Sequence, residues 1–198
     1  MNADLQRLMD NLRINLPGAL DGTIQNELFA ALTDFFQTTN VWTEDIDVPV
    51  TAGVQDYIIV PSSVSAINRL MGAVNSDGQV IGVLMKVPGE IYLVNPPNQA
   101  ATYTVQVALT VTDPTTRDGY PEFPAWILNK YGSDIFEGVV GRMMGQPAKP
   151  YSNERLAIFH MRRFESSMSK AKVEAQHRNV YRGQSWRFPQ TFASRNWR

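Results

Sequence analysis

The chain has 198 residues, 43% of them hydrophobic, a net charge of −1 and no cysteine, enough for a buried core in one domain or two small ones. Lack of cysteine excludes a disulfide framework, a thiolate nucleophile and a cysteine-based zinc site. No apolar run approaches the ~18 residues of a membrane-spanning helix, and the opening MNADLQRLMD lacks the basic-then-apolar pattern of a signal peptide. A soluble protein made in a cytoplasm, with no membrane partner, is the expectation.

Near-neutrality hides a split. Residues 151–198 carry ten Lys and Arg against three acids, a net +7, so everything before them sums to −8. An acidic body with a basic end is the arrangement of a part that docks onto something.

In residues 3–14, Leu5, Leu8, Met9 and Leu12 fall at i, i+3, i+4 and i+7, the apolar stripe of a short helix with Asn2 as its cap and Pro17-Gly18 as its stop. A second helix follows Asp21-Gly22, with Ile24, Leu28, Ala31, Leu32, Phe35 and Phe36 on one side, and runs out near Thr39-Asn40. The short turn between them predicts an antiparallel helix pair.

From Ile46 the period changes to two. Ile46, Val48 and Val50, then Tyr57 and Ile59, alternate as in half-buried strands. Further strands are predicted over residues 66–74, 79–86, 91–94 and 103–111, separated by Asp77-Gly78, Pro88-Gly89 and Asn95-Pro96-Pro97. The result is an antiparallel β domain of five or six strands over residues 46–113.

Prolines 114, 121 and 124 close it, and helical spacing resumes with Trp126, Ile127, Tyr131, Ile135, Phe136, Val139, Val140 and Met143. Gly138, Gly141 and Gly145 each cost this third helix about 1 kcal/mol relative to alanine. Their related faces point to close approach of a neighbouring helix or subunit. A fourth helix is predicted from Ser152, with that hydroxyl as cap, through Leu156, Phe159, Phe164, Met168 and Ala171 to about His177. The fold class is therefore α+β: a four-helix bundle (residues 1–45 and 114–177) interrupted by the β domain, with an extended C-terminal arm at 178–198.

Catalytic clusters are scarce. His160 and His177 lack the spacing that places two imidazoles on one metal, and read as surface or capping residues. No phosphate-cradling glycine loop and no nucleophile elbow is present. Glu44, Asp45 and Asp47 offer carboxylate oxygens to a hard cation, but at a helix-to-strand junction they read as a solvated loop. Asp134 and Glu137, at i and i+3, read as structural rather than as an acid pair. No catalytic residue, metal or cofactor is expected, and the chain reads as a non-enzyme.

The arm differs. Residues 178–198 hold five Arg, no acid and five aromatics (Tyr181, Trp186, Phe188, Phe192 and Trp197). Two readings fit: a platform for single-stranded nucleic acid, with Arg on phosphate and aromatics stacked on bases, or an arm anchored in pockets of a protein partner.

Three stretches carry a family resemblance: NLPGALDGTIQNELFAALTDFFQTTNVW (15–42), YPEFPAWILNKYGSDIFEGVVGRMMGQPAKPYSN (120–153) and RRFESSMSKAKVEAQHRNVYRGQSWRFPQTF (162–192). In this order they resemble the head-to-tail adaptor (connector) proteins of tailed bacteriophages, strongly in the helical parts and weakly in the β segment. The resemblance implies a structural virion protein at the capsid vertex, assembled as a ring, usually twelvefold, beneath the portal protein. A tail or nozzle protein would bind its other side, and genomic DNA would pass through the channel without specific binding. It further implies that Arg182, Trp186, Arg187, Phe188, Phe192 and Arg195 contact the portal. The alternative is a sequence-independent nucleic-acid-binding module using the same arm.

Overall fold

Leu5, Leu8, Met9 and Leu12 form the buried stripe of helix α1 (Ala3–Asn15) in the computed structural model, which describes residues 3–112 and 120–177. Asn2, the expected cap, lies outside the described residues. The chain turns at Gly18, whose φ of +82° is costly for any residue with a Cβ. Helix α2 (Asp21–Thr39) then starts earlier than expected. Asp21 and Gly22 sit inside its first turn, because the N–H groups of Thr23 and Ile24 already bond to the carbonyl of Leu20. Arg13 of α1 donates from Nε (2.9 Å) and from a terminal nitrogen (3.0 Å) to the two Asp21 oxygens, which holds that carboxyl below its usual pKa. Asn40 ends α2 in the left-handed region, its N–H bonded to Phe36.

Among the described residues six strands follow: β1 (Thr43–Val50), β2 (Asp56–Ile58), β3 (Ser65–Val74), β4 (Val83–Val87), β5 (Glu90–Leu93) and β6 (Ala101–Val111). They make two three-stranded antiparallel sheets, in the orders β1-β6-β3 and β2-β5-β4. With four helices among the described residues, the protein is mixed α+β.

The strand predicted over residues 79–86 is divided. Asn75 N–H bonds to Gln79 and Ile81 N–H to Ala73, so residues 75–81 finish a hairpin of the first sheet. At Gly82 the chain crosses to the second sheet, where Val94 N–H bonds to the Gly82 carbonyl. A Cβ on Gly82 would stand 3.2 Å from the Val94 side chain, so the crossing is built around a residue without one.

β1 begins at Thr43, three residues before the alternation from Ile46 suggests, and this overturns the loop reading of the acidic cluster. Asp45 lies opposite Gln106 and Asp47 opposite Thr104 in the β1–β6 register. Gln106 Nε2 donates to Asp45 at 2.7 Å and Thr104 Oγ1 to Asp47 at 2.8 Å, while Glu44 accepts the Ser62 N–H at 2.9 Å. Asp45 and Asp47 serve as cross-strand acceptors, and Glu44 ties down the loop before β3, uses that periodicity alone does not reveal.

Val105, Val107, Leu109 and Val111 of β6 are buried, and α2 lies against this strand. Phe35 and Phe36 join the two halves of the core: Phe36 meets Trp42 edge-on at 5.4 Å between ring centroids, and Phe35 meets Tyr131 at 5.1 Å.

Helix α3 (Ala125–Met144) packs on α1, α2 and α4 (Glu154–His177), and α4 also touches α2. Two expectations fail here, and the buried side of α4 is a further finding. Gly145 is not inside α3 but forms its C-cap. The cap of α4 is Asn153, whose Oδ1 accepts the Leu156 N–H at 3.1 Å; the Ser152 hydroxyl instead accepts from Lys149 N–H and donates to the Gln146 carbonyl, closing the turn before the helix. And α4 buries Ala157, Phe164 and Ala171, seven residues apart, while Leu156 and Phe159 are exposed. A seven-residue seam of small, large, small side chains suits close packing against α3, and its central Phe164 also reaches the Phe35 ring of α2, at 6.4 Å between centroids. No helix among the described residues is long and apolar enough to cross a membrane.

Candidate functional site

The α3–α4 seam is where this chain departs most from ordinary helix packing. A Cβ on Gly138 would stand 2.9 Å from the Phe164 ring, and one on Gly141 would stand 2.8 Å from Met161 Cγ and 3.0 Å from its backbone nitrogen. Both distances are too short for a real side chain, so these glycines let α4 lie directly on the α3 backbone. Gly145 is looser: a Cβ there would stand 3.4 Å from the Gly141 carbonyl, and its nearest contact on α4 would be Ala157 Cβ at 3.7 Å. The pairing of 138 with 164, 141 with 161 and 145 with 157 makes the two helices antiparallel.

That register brings together three polar side chains that the sequence gives no reason to associate. Glu137 is buried. Its Oε2 lies 2.5 Å from Nδ1 of His160 and its Oε1 3.1 Å from a terminal nitrogen of Arg163. His160 is thus neither a surface nor a capping residue, because its ring is held in the seam by a carboxylate from the opposite helix. Residues 23 positions apart become neighbours only through the antiparallel crossing. Glu137→Ala is expected to cost about 1.5–3 kcal/mol, the range for hydrogen bonds to a charged group. His160→Ala is expected to cost less, since Arg163 still reaches the carboxylate. Urea denaturation of both variants checks the order.

At the far end of the seam, Lys130 Nζ lies 2.7 Å from Oε2 of Glu174, and Tyr131 donates its hydroxyl to the same oxygen at 3.2 Å. The bond from Lys130 holds the Glu174 carboxyl below its usual pKa, and burial pushes the Tyr131 hydroxyl above its own. With Trp126, Thr43 and Met71 these residues line a groove of 320 Å³ between the first sheet and the last turns of α4. Trp126, with which helical spacing resumes in the sequence, is nearly half exposed on this rim.

His177, an exposed residue and the last described one of α4, lies two positions beyond Ala175, which lines this groove. Arg182, Trp186, Arg187, Phe188, Phe192 and Arg195, the residues the resemblance assigns to portal contact, lie outside the described residues. Among the described residues no group of three or more His, Asp or Glu is placed to hold a metal ion. Compared with known protein-family models and with curated proteins, the chain matches none.

Proposed function

We propose that this protein is a structural head-to-tail adaptor of a tailed bacteriophage, a ring-forming part without catalytic activity that sits beneath the portal and continues the DNA channel toward the tail. One observation carries the reading: the stretches that resemble the adaptors fall in order on α2, on α3 with its flanking turns, and on α4 with the residues beyond it. The weakly resembling part is the pair of sheets. In this reading the four helices act as one bundle, the sheets are an insert within it, and residues 178–198 are the portal-binding arm.

The charge split supports the same assignment. Five Arg interleaved with five aromatics suit pockets on a partner, while an acidic body suits a channel wall past which DNA slides, because like charge repels phosphate. Glu137, engaged by His160 and Arg163, is better spent on the helix seam than on acid catalysis.

Burying the arm's aromatics is opposed by the entropy of ordering its 21 residues, so one arm alone binds weakly. Many arms on a portal raise each other's effective concentration. The expected result in mass photometry is a monomer for the protein alone and a ring when its cognate portal is added. A stable ring at micromolar concentration without portal would contradict template-driven assembly.

A further inference from the structure

We infer that Glu44 and Glu122 form a receptor for a guanidinium, and that its occupant is Arg182 of the same chain, so that the arm folds back on its own body when no partner holds it. The inference goes beyond the adaptor reading and does not depend on it. Glu44 stands near the start of β1 and Glu122 in the segment leading into α3. With Trp42, Ser62, Ser63 and Phe123 they line a pocket of 450 Å³. No Lys or Arg is among the described residues that line it, and neither carboxylate forms an ion pair with a described residue. The Ser62 N–H at 2.9 Å fixes Glu44 in place without cancelling its charge.

The walls decide which cation fits. Calcium takes about six to eight oxygen ligands, whereas this pocket sets two carboxylates and two serine hydroxyls among aromatic rings. Half-buried Phe123 is backed by the Phe36 ring at 6.1 Å between centroids, so it presents a fixed apolar surface. A guanidinium uses both features. Its N–H donors pair with carboxylates, and its planar face lies on a ring. An ammonium would meet the charge and leave the ring unused.

The chain itself brings such groups to the spot. Residues 178–198 carry five Arg, no Lys and no acid. Ala175 and Thr43 line the 320 Å³ groove beside the end of α4, and Thr43 also lines the pocket, so the two openings adjoin at β1, an edge strand of the first sheet. The groove has no charge preference of its own, because Lys130 already takes its Glu174. It offers the exposed side of Trp126 to a passing chain. From His177 to Arg182 an extended chain covers about 17 Å, longer than the roughly 7 Å edge of a cube of the groove's 320 Å³. Arg178, one residue past the helix, is too close to cross the groove, and Arg187 would require ordering five more residues. Tethering gives Arg182 a higher effective concentration at the pocket than an arginine on a separate molecule at micromolar concentration.

A chain without cysteine makes the closure measurable. Full-length protein carrying Ser63→Cys and Gly183→Cys keeps Glu44, Glu122 and Arg182 in place. Under mild oxidation at low micromolar concentration it is expected to form an intramolecular disulfide at least tenfold faster than protein carrying Val80→Cys and Gly183→Cys. Val80 is exposed and bridges Val74, at the end of β3 away from Ser63. Equal rates overturn the proposal. So does a majority of disulfide-linked dimers, which would put a second copy's arm in the pocket. In the Ser63→Cys/Gly183→Cys background, adding Glu122→Gln or Arg182→Gln is expected to slow closure at least threefold, and closure indifferent to both overturns the proposal. Thermal melts confirm folding of each variant, and if Glu122→Gln unfolds the chain, Arg182→Gln gives the same reading from the arm.

Discussion

Deleting residues 178–198 is expected to abolish portal binding while leaving a folded body with an unchanged melting temperature. The motive is the segment's make-up: five Arg and five aromatics with Val180 as its single β-branched aliphatic residue. The buried core of the described residues is assembled from side chains between Leu5 and Ala171. Trp186→Ala and Phe188→Ala should do most of the damage. Truncating a buried anchor costs about 2–4 kcal/mol, roughly 30- to 900-fold in affinity for each arm, and the loss is repeated around a ring. Surface plasmon resonance on immobilised portal measures it. The nucleic-acid alternative predicts a different pattern, in which tight single-strand binding falls linearly with the logarithm of salt concentration. Portal binding that survives the deletion, together with such a salt slope, would remove the adaptor reading and install its rival.

Substituting either side of the seam between Gly138 and Phe164 is expected to be among the most destabilising changes in the body. Phe164 is fully buried, and Phe164→Ala should cost about 3–5 kcal/mol, the range for emptying a buried aromatic site. For a chain of this size that lowers the melting temperature by roughly 6–20 °C. Gly138→Leu should cost about 1–3 kcal/mol through overpacking, even though leucine is the better helix former by nearly 1 kcal/mol. The added branch has no room, because a Cβ there already stands 2.9 Å from the ring. The double variant Gly138→Leu/Phe164→Ala distinguishes this account from a general loss of helix stability. A leucine at 138 occupies volume that the lost ring vacates, so the pair should be less destabilised than the sum of the single changes. Strict additivity in calorimetry would show that the two sites do not share space.

The same seam explains why the candidate site was only half legible in the sequence. Gly138 and Gly141 marked a face where something approaches closely, since glycine in a helix is costly without such a reason. The identity of the approaching group was not readable. That Met161 and Phe164 fill the notch, and that Glu137 thereby meets His160 and Arg163, depends on the crossing of two helices whose contacting residues are 20 to 26 positions apart. Leu156 and Phe159 marked the helix correctly, but helical spacing does not say how wide the buried stripe is, and both are exposed.

The sequence by itself determined the kinds and order of the elements: helical periodicity in Leu5 to Leu12 and Ile24 to Phe36, two-residue alternation from Ile46, and helical periodicity again from Ile127. These are local properties, since the placement of apolar residues along a segment decides which conformation buries them. The basic, aromatic composition of the last 21 residues is equally local. Tertiary structure alone decided the partition of six strands into two sheets, with Gly82 as the crossing, the conversion of Asp45 and Asp47 into cross-strand acceptors, and the burial of Glu137 with His160. Each of these depends on a partner distant in the chain. A side chain's charge and size are written at its own position, but its burial and hydrogen bonding are set by whichever element packs over it.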